Sequence, residues 1–244
     1  MSMGEEDIDE HLLFYAQCST MFILFNRQLI QINWVNNLEV LAKTTAEAWE
    51  KLSMSLLNSG KESTVHNEPV TEIRWLSIHV LNPLQEPRIN ERFDEFCRKI
   101  HLEDDWRPET YLLQVTKQTT KGYWWEVYGN PIWEQIPKLV AVLRENISYN
   151  KPSITVRNSR KHLGGKKTPC LVYITFQIRD EKLDFGVHFD TNAIEFIQSN
   201  MYGLTELQRI VAEKLGVIAG TYHHFIDSLF VSKKHFVSLK ETLL

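Results

Sequence analysis

The chain has 244 residues, 27 Lys and Arg against 31 Asp and Glu, and 43% hydrophobic residues. That apolar content excludes general disorder, and the length allows a core that needs no disulfide staples. A net charge of −4 argues against a dedicated nucleic-acid binder, and three widely spaced cysteines, Cys18, Cys97 and Cys170, make neither a disulfide framework nor a zinc pattern, which predicts a reducing, cytoplasmic setting.

No apolar stretch approaches the roughly 20 residues that a membrane-spanning helix needs. The acidic start, MSMGEEDIDEH, reads as neither a signal peptide nor an Arg-rich transit peptide. In chain order, residues 21–35 read as one or two strands broken near Asn26. Residues 44–58 read as a helix capped by Thr44 or Thr45 and stopped by Gly60. Residues 70–82 alternate as a strand up to Pro83, residues 90–100 make a short charged helix, and residues 111–115 suit either a strand or a short helix. Pro131 opens a helix over 131–146, with Ile136, Leu139, Val140 and Leu143 on its apolar face. Residues 153–157 read as a strand, and residues 171–179 and 182–189 as a hairpin turning at Asp180–Glu181. A long helix over 198–215 closes at Gly216, and a last strand follows over 221–231. Strands and helices mix without strict alternation, which predicts an α+β fold.

Common catalytic motifs are missing. Gly164–Gly165 precedes two lysines but lacks the frame of a phosphate loop, and Pro169–Cys170 has Tyr173 where a zinc deaminase needs its second Cys. His188 and Asp190 share a strand face and His223–His224 are adjacent, so a metal site is conceivable, but no ligand spacing favours it over polar groups on a sheet. Cys170 has two readings. It is either a small buried hydrophobe or a nucleophile presented at a strand start. The basic loop of residues 157–167 precedes it, with Arg157, Arg160, Lys161, His162, Lys166 and Lys167; positive charge there would lower the thiol pKa.

The order of these pieces resembles the thymidylate synthase superfamily, closest to its shorter archaeal and phage-like members, over roughly residues 40–232. Glu72-Ile-Arg-Trp-Leu, running to Asn82–Pro83, resembles the catalytic-Glu segment. Val127-Tyr128-Gly129 resembles the family's Val-Tyr-Gly turn, residues 150–156 its Ser-Arg-Arg segment, and Pro169–Cys170 its nucleophile motif. The spacing from Asn192 to Asn200 is similar to the family's Asp-to-Asn spacing, and residues 226–231 to its terminal strand. The resemblance implies a large mixed sheet flanked by helices over residues 41–244, with residues 1–40 as an N-terminal extension whose strands join that domain. It implies a homodimer with sheets back to back, 5,10-methylenetetrahydrofolate as cofactor, no metal, and a pyrimidine nucleotide or nucleoside as substrate. Cys170 would be the nucleophile, adding to C6 so that C5 accepts a methyl or hydroxymethyl unit. Glu72 would order water and move protons, Tyr128 would assist proton removal at C5, and Asn200 would hold the pyrimidine edge.

The phosphate and sugar set departs from the family. Phe189 stands where an Arg is expected and Asp190 where a Ser follows it; Lys151 and Pro152 replace paired arginines, Asn192 replaces the folate-associated Asp, and Phe230 and Ser232 replace a His and a Tyr. A one-residue shift would bring His188 to the Arg position. The substrate contacts implied are therefore Asn200, Asn192, Lys151, Arg157, Arg160, His188 and Asp190, with the basic loop as a phosphate site. Two competing readings stay open: a catalytically inactive relative that binds a ligand or serves as a partner subunit, and an unrelated metal or other enzyme.

Overall fold

The structure is a computed structural model that describes residues 38–165 and 168–244, together with three strands of the preceding chain, β1 (Phe14–Gln17), β2 (Thr20–Phe25) and β3 (Gln28–Asn33). The chain divides into two units, residues 1–37 and 38–244. In the first, β1, β2 and β3 form an antiparallel sheet, and the break expected near Asn26 separates β2 from β3. Packing of the aromatic side chains Phe14, Tyr15, Phe22, Phe25 and Trp34 lies outside the described residues, as do Cys18, Lys166 and Lys167.

The second unit runs β4 (Leu38–Ala42), α1 (Thr45–Ser59), β5 (Lys61–Val65), β6 (Glu68–Val80), α2 (Glu91–Lys99), α3 (Pro108–Val115), α4 (Asn130–Glu145), β7 (Ser153–Thr155), α5 (Ser159–His162), β8 (Leu171–Arg179), β9 (Lys182–Ala193), α6 (Ile194–Leu215), β10 (Ile218–Ser232) and α7 (Lys233–Leu243). One seven-stranded sheet has the order β4-β6-β10-β9-β8-β7, with β5 also paired to β6. The β4–β6 and β9–β10 pairs are parallel and the rest antiparallel, so the sheet is mixed and the α+β expectation holds. No described helix is long and apolar enough to cross a membrane.

Local chemistry explains most boundaries. Thr44 Oγ1 accepts from Glu47 N at 3.2 Å while the Glu47 carboxylate reaches back to Lys43 N at 2.7 Å, so two free N–H groups at the start of α1 are satisfied. Gly216 ends α6 at φ 73°, in the left-handed region that glycine enters without a Cβ penalty. His66 and Asn67, both at positive φ, make a two-residue turn from β5 into β6, which starts that strand two residues earlier than the alternation suggested. Residues 111–115 belong to a helix, not a strand, because Pro108 is preset for the first turn of α3.

The core lies between one sheet face and the helices. Trp49 of α1 is fully buried against Phe93 and Phe96 of α2, at centroid distances of 5.5 and 6.2 Å, and its Nε1 donates to Ile194 O at 3.2 Å. Leu171, Ile174 and Phe176 of β8 are fully buried in this core. They therefore do not form the outward apolar face expected of a back-to-back sheet interface. By register the opposite face carries the rows Glu39–Ser77–Phe225–His188–Tyr173 and Leu41–His79–His223–Gly186–Thr175. There Leu41, Phe225 and Tyr173 are exposed, so within residues 38–244 no other described element covers that face.

One irregularity shapes the site. Register passes from Leu76–Ile226–Phe189 to Arg74–Ser228–Thr191, and the residues between, Trp75, Asp227 and Asp190, are unpaired across all three strands. Trp75 sits at φ 56° and is 60% exposed. Beyond this level the buried phase of β10 moves from Tyr222, His224 and Ile226 to Leu229 and Val231, and that of β9 from Val187 and Phe189 to Asn192. A regular strand would have turned Asn192 away from Phe189's side. The aligned break turns it inward.

Candidate active site

Cys170 lies one residue before β8 and is fixed from three sides. Its N–H donates to Tyr128 Oη at 3.2 Å, its carbonyl accepts from Asp190 N at 3.1 Å, and its Sγ accepts from Thr191 Oγ1 at 3.3 Å. Tyr128 is delivered by a five-residue wide helical turn, Trp125–Gly129, that runs directly into α4. Gly129 is required there, because a Cβ would stand 2.5 Å from both Gln114 O and the Trp125 ring.

These groups open on a cavity of about 220 Å³. Its polar lining is Cys170, Tyr128, Thr168, Thr191, Asn192, Asn200 and His66. Its walls are aromatic: Trp106, Tyr123, Trp124, Phe189, Phe196 and Phe230. Trp106 packs edge-on to Trp124 at 4.9 Å and tilted over Phe196 at 4.7 Å, and Tyr111 supports Trp124 from below at 5.0 Å.

A buried polar chain leads inward. Asn200 Nδ2 donates to Asn192 Oδ1 at 3.0 Å, Asn192 Nδ2 faces His224 Nε2 at 3.4 Å, and His224 Nδ1 meets Tyr222 Oη at 2.9 Å. Complete burial, followed by the nearby His188, pushes the His224 pKa down to about 3, so the ring is neutral across ordinary pH. With Nε2 accepting from Asn192, Nδ1 holds the proton and donates to Tyr222. This assignment leaves Asn200 Oδ1 as an acceptor without a protein partner among the described residues.

The thiol itself corrects an expectation. Burial pushes the Cys170 pKa up, and the Asp190 carboxylate adds to the rise; the hydrogen bond from Thr191 and the charge of Arg157 oppose it without prevailing. That rise favours the thiol over the thiolate. Cys97, buried in the core, is pushed up further, to about 12.

Four of the residues singled out in the sequence, Cys170, Tyr128, Asn192 and Asn200, therefore meet in one cavity. Glu72 comes close without lining it. It pairs in register with Phe230, which does line the cavity, and is only 7% exposed. Burial raises its pKa, but hydrogen bonds from Ser228 (2.5 Å), Ser63 and Arg74 more than compensate, and the carboxyl stays below its ordinary value. Arg157 is engaged elsewhere: its guanidinium meets Asp190 Oδ2 at 2.5 Å and donates to Pro169 O from Nε at 2.9 Å. His188 pairs with Asp227 Oδ1 at 2.8 Å on the uncovered sheet face, and Lys151 and Arg160 are exposed away from the cavity lining. Among the described residues no group of three His, Cys, Asp or Glu side chains gathers to hold a metal ion.

The aromatic wall and His66 were not anticipated from the sequence. Trp106, Tyr123 and Trp124 fall in short turns and helices between α2 and α4, where periodicity is weak, and only their density marked them. His66 enters through the tight turn, for which the His66–Asn67 pair is the signal.

No family model matches the chain. It is 38% identical over 86 residues, 35% of this chain, to a protein of Methanocaldococcus jannaschii named "Putative thymidylate synthase". That match spans 37% of the relative's length. It is 24% identical over 190 residues, 74% of this chain and 83% of the relative, to a protein of Methanosarcina mazei with the same name. The chain is thus distantly similar to proteins that carry the thymidylate synthase name.

Proposed function

We propose that the protein is a thymidylate synthase-like transferase that places a one-carbon unit on C5 of a pyrimidine through a Cys170 adduct at C6. The observation that carries this reading is the convergence of a pinned thiol, a phenol and an amide in one aromatic slot. Cys170 Sγ, once deprotonated, attacks C6; the C–S bond forms as the C5–C6 π pair moves toward C5 and the C4 oxygen. Asn200 meets the ring edge, where an amide donates to a carbonyl and accepts from a ring N–H. Once C5 has its new carbon, loss of the C5 proton, with Tyr128 holding water or the proton nearby, would release that carbon from the donor's nitrogen, and hydride (for methyl) or water (for hydroxymethyl) adding to it would expel Cys170 Sγ as the ring double bond returns. Glu72, behind Phe230, orders water at that edge of the cavity.

The one-carbon donor of this reading is a methylenetetrahydrofolate. The wall residues fit its flat pterin by stacking, with Trp106, Tyr123 and Phe196 as the holding faces, although the described lining offers it no carboxylate. When bound, it supplies the carbon that C5 acquires. The experiment is release of tritium from C5-tritiated pyrimidines into water in the presence of the donor. A ligand-binding relative without catalysis is the second reading, favoured by the raised thiol pKa and by Glu72 standing outside the lining.

A homodimer through the uncovered sheet face, with its exposed Leu41, Phe225 and Tyr173, belongs to the same reading. Light scattering should give twice the 28.7 kDa chain mass, and a monomer would remove that part of it.

A further inference from the structure

We propose that His224 and Tyr222, neither of which lines the Cys170 cavity, are positioning residues: together they fix which end of the Asn200 amide faces a pyrimidine ring. The inference rests on the one-carbon reading for its pyrimidine. The relay itself stands on the hydrogen bonds and burial of Asn200, Asn192, His224 and Tyr222.

An amide is nearly symmetric in shape, so by itself Asn200 can turn either its oxygen or its nitrogen to the cavity. Asn192 is another amide and settles nothing alone. Asn200 Nδ2 donates to Asn192 Oδ1 at 3.0 Å and Asn192 Nδ2 faces His224 Nε2 at 3.4 Å, but both amides could turn over together and keep one bond between them. His224 breaks that symmetry. It is fully buried and neutral, and a neutral imidazole carries one proton, so one nitrogen donates while the other accepts. Tyr222, also fully buried, meets Nδ1 at 2.9 Å and gives the Nδ1 proton its acceptor. Phe189 stacks on the imidazole at 4.7 Å and holds the plane of the ring.

This polarity reaches the cavity as a choice of ring edge. With one Nδ2 hydrogen engaged by Asn192, Asn200 keeps Oδ1 as an acceptor and its second Nδ2 hydrogen as a donor. That pair matches a uracil-type edge, where a ring N–H lies beside a carbonyl. A cytosine-type edge has a bare ring nitrogen beside an amino group, so acceptor would meet acceptor and donor would meet donor. Asn200 matches it only by turning over, which sets its oxygen against Asn192 Oδ1 unless Asn192 and the His224 proton reverse as well.

Nitrogen NMR of the full chain, isotope-labelled at histidine, reads the relay without a ligand. His224 should be the neutral tautomer protonated at Nδ1, and Tyr222→Phe should move the proton to Nε2, since Nδ1–H would otherwise be buried without an acceptor. Calorimetry with 2′-deoxyuridine 5′-monophosphate and 2′-deoxycytidine 5′-monophosphate reads the consequence. The wild-type chain should prefer the uracil probe by at least about tenfold, and Tyr222→Phe should cut that preference by at least about fivefold. Adding Asn192→Asp to Tyr222→Phe should restore it, because a carboxylate accepts from Asn200 whichever nitrogen of His224 is protonated. A merely structural role would not give that rescue. The inference is overturned by an Nε2-protonated His224 in the wild-type chain, by the lack of a uracil preference there, by a preference that Tyr222→Phe leaves unchanged or Asn192→Asp fails to restore, or by failure of both probes to bind at millimolar concentration. Tritium release separates it from the reading beneath it. Release with an unchanged preference in Tyr222→Phe removes the relay and keeps the one-carbon chemistry. The expected preferences with no release from any pyrimidine keep the relay and remove the chemistry.

Discussion

Replacing Cys170 with Ser should lower C5-tritium release by at least about a thousandfold, because a hydroxyl in the same place is a far weaker nucleophile toward C6. Its partners argue that the loss is chemical. Thr191 and Tyr128 hold position 170 through one bond to the side chain and one to the backbone, and a serine hydroxyl can accept from Thr191 as the sulfur does. Ligand affinity should therefore change little while turnover vanishes. In the wild-type protein the release rate should rise with pH from about pH 6 to about pH 9, since a buried thiol with a raised pKa supplies more thiolate as protons are withdrawn. A rate independent of pH across that window would mean that the thiolate is already formed at neutral pH, against the burial and the Asp190 charge that surround it. A Cys170→Ser variant retaining wild-type release would remove Cys170 from the chemistry.

The second large effect is on stability. Trp49→Ala should cost about 3–5 kcal/mol, read as a lower urea midpoint with an unchanged slope. Trp49 is fully buried between α2 and the start of α6, and its removal empties space beside Phe93 and Phe96 and strips a donor from Ile194 O. That carbonyl belongs to the first residue of α6, one residue after Ala193 and two after Asn192, both in the cavity lining. The loss is a large share of the roughly 5–15 kcal/mol available to a typical domain. Trp49→Phe should recover more than half of it. A cost under about 1 kcal/mol for the alanine variant would contradict the packing described.

The fold was legible wherever a local device marks an element. Thr44 caps α1, Pro131 lies in the first turn of α4, Asp180–Glu181 turns the hairpin at positive φ, and Gly216 closes α6. Elements without such a device were missed or misplaced. The chain passes from β9 straight into α6 at Ala193, which offers no capping side chain, so the helix starts at Ile194 rather than at residue 198. α7 follows β10 in the same way, at Ser232, and was not foreseen.

The candidate site was legible only through resemblance. Cys170, Tyr128 and Asn200 are 42 and 30 residues apart in sequence and share no spacing that periodicity could read. What places Asn192 beside them is the break shared by Trp75, Asp227 and Asp190, a tertiary feature of three strands that no single strand announces. The basic loop misled for a related reason. Its charge count is real, but the effect of Arg157 on the thiol depends on Asp190, which arrives from another strand and cancels it.

The most direct test of the central claim is the intact mass of the protein after incubation with a 5-fluoropyrimidine nucleoside and methylenetetrahydrofolate. Fluorine at C5 cannot leave as a proton does, so attack at C6 should be trapped. The account predicts a stoichiometric mass gain mapped to the peptide containing Cys170 and absent from Cys170→Ser. An unmodified Cys170 under conditions where the pyrimidine is shown to be bound would contradict it.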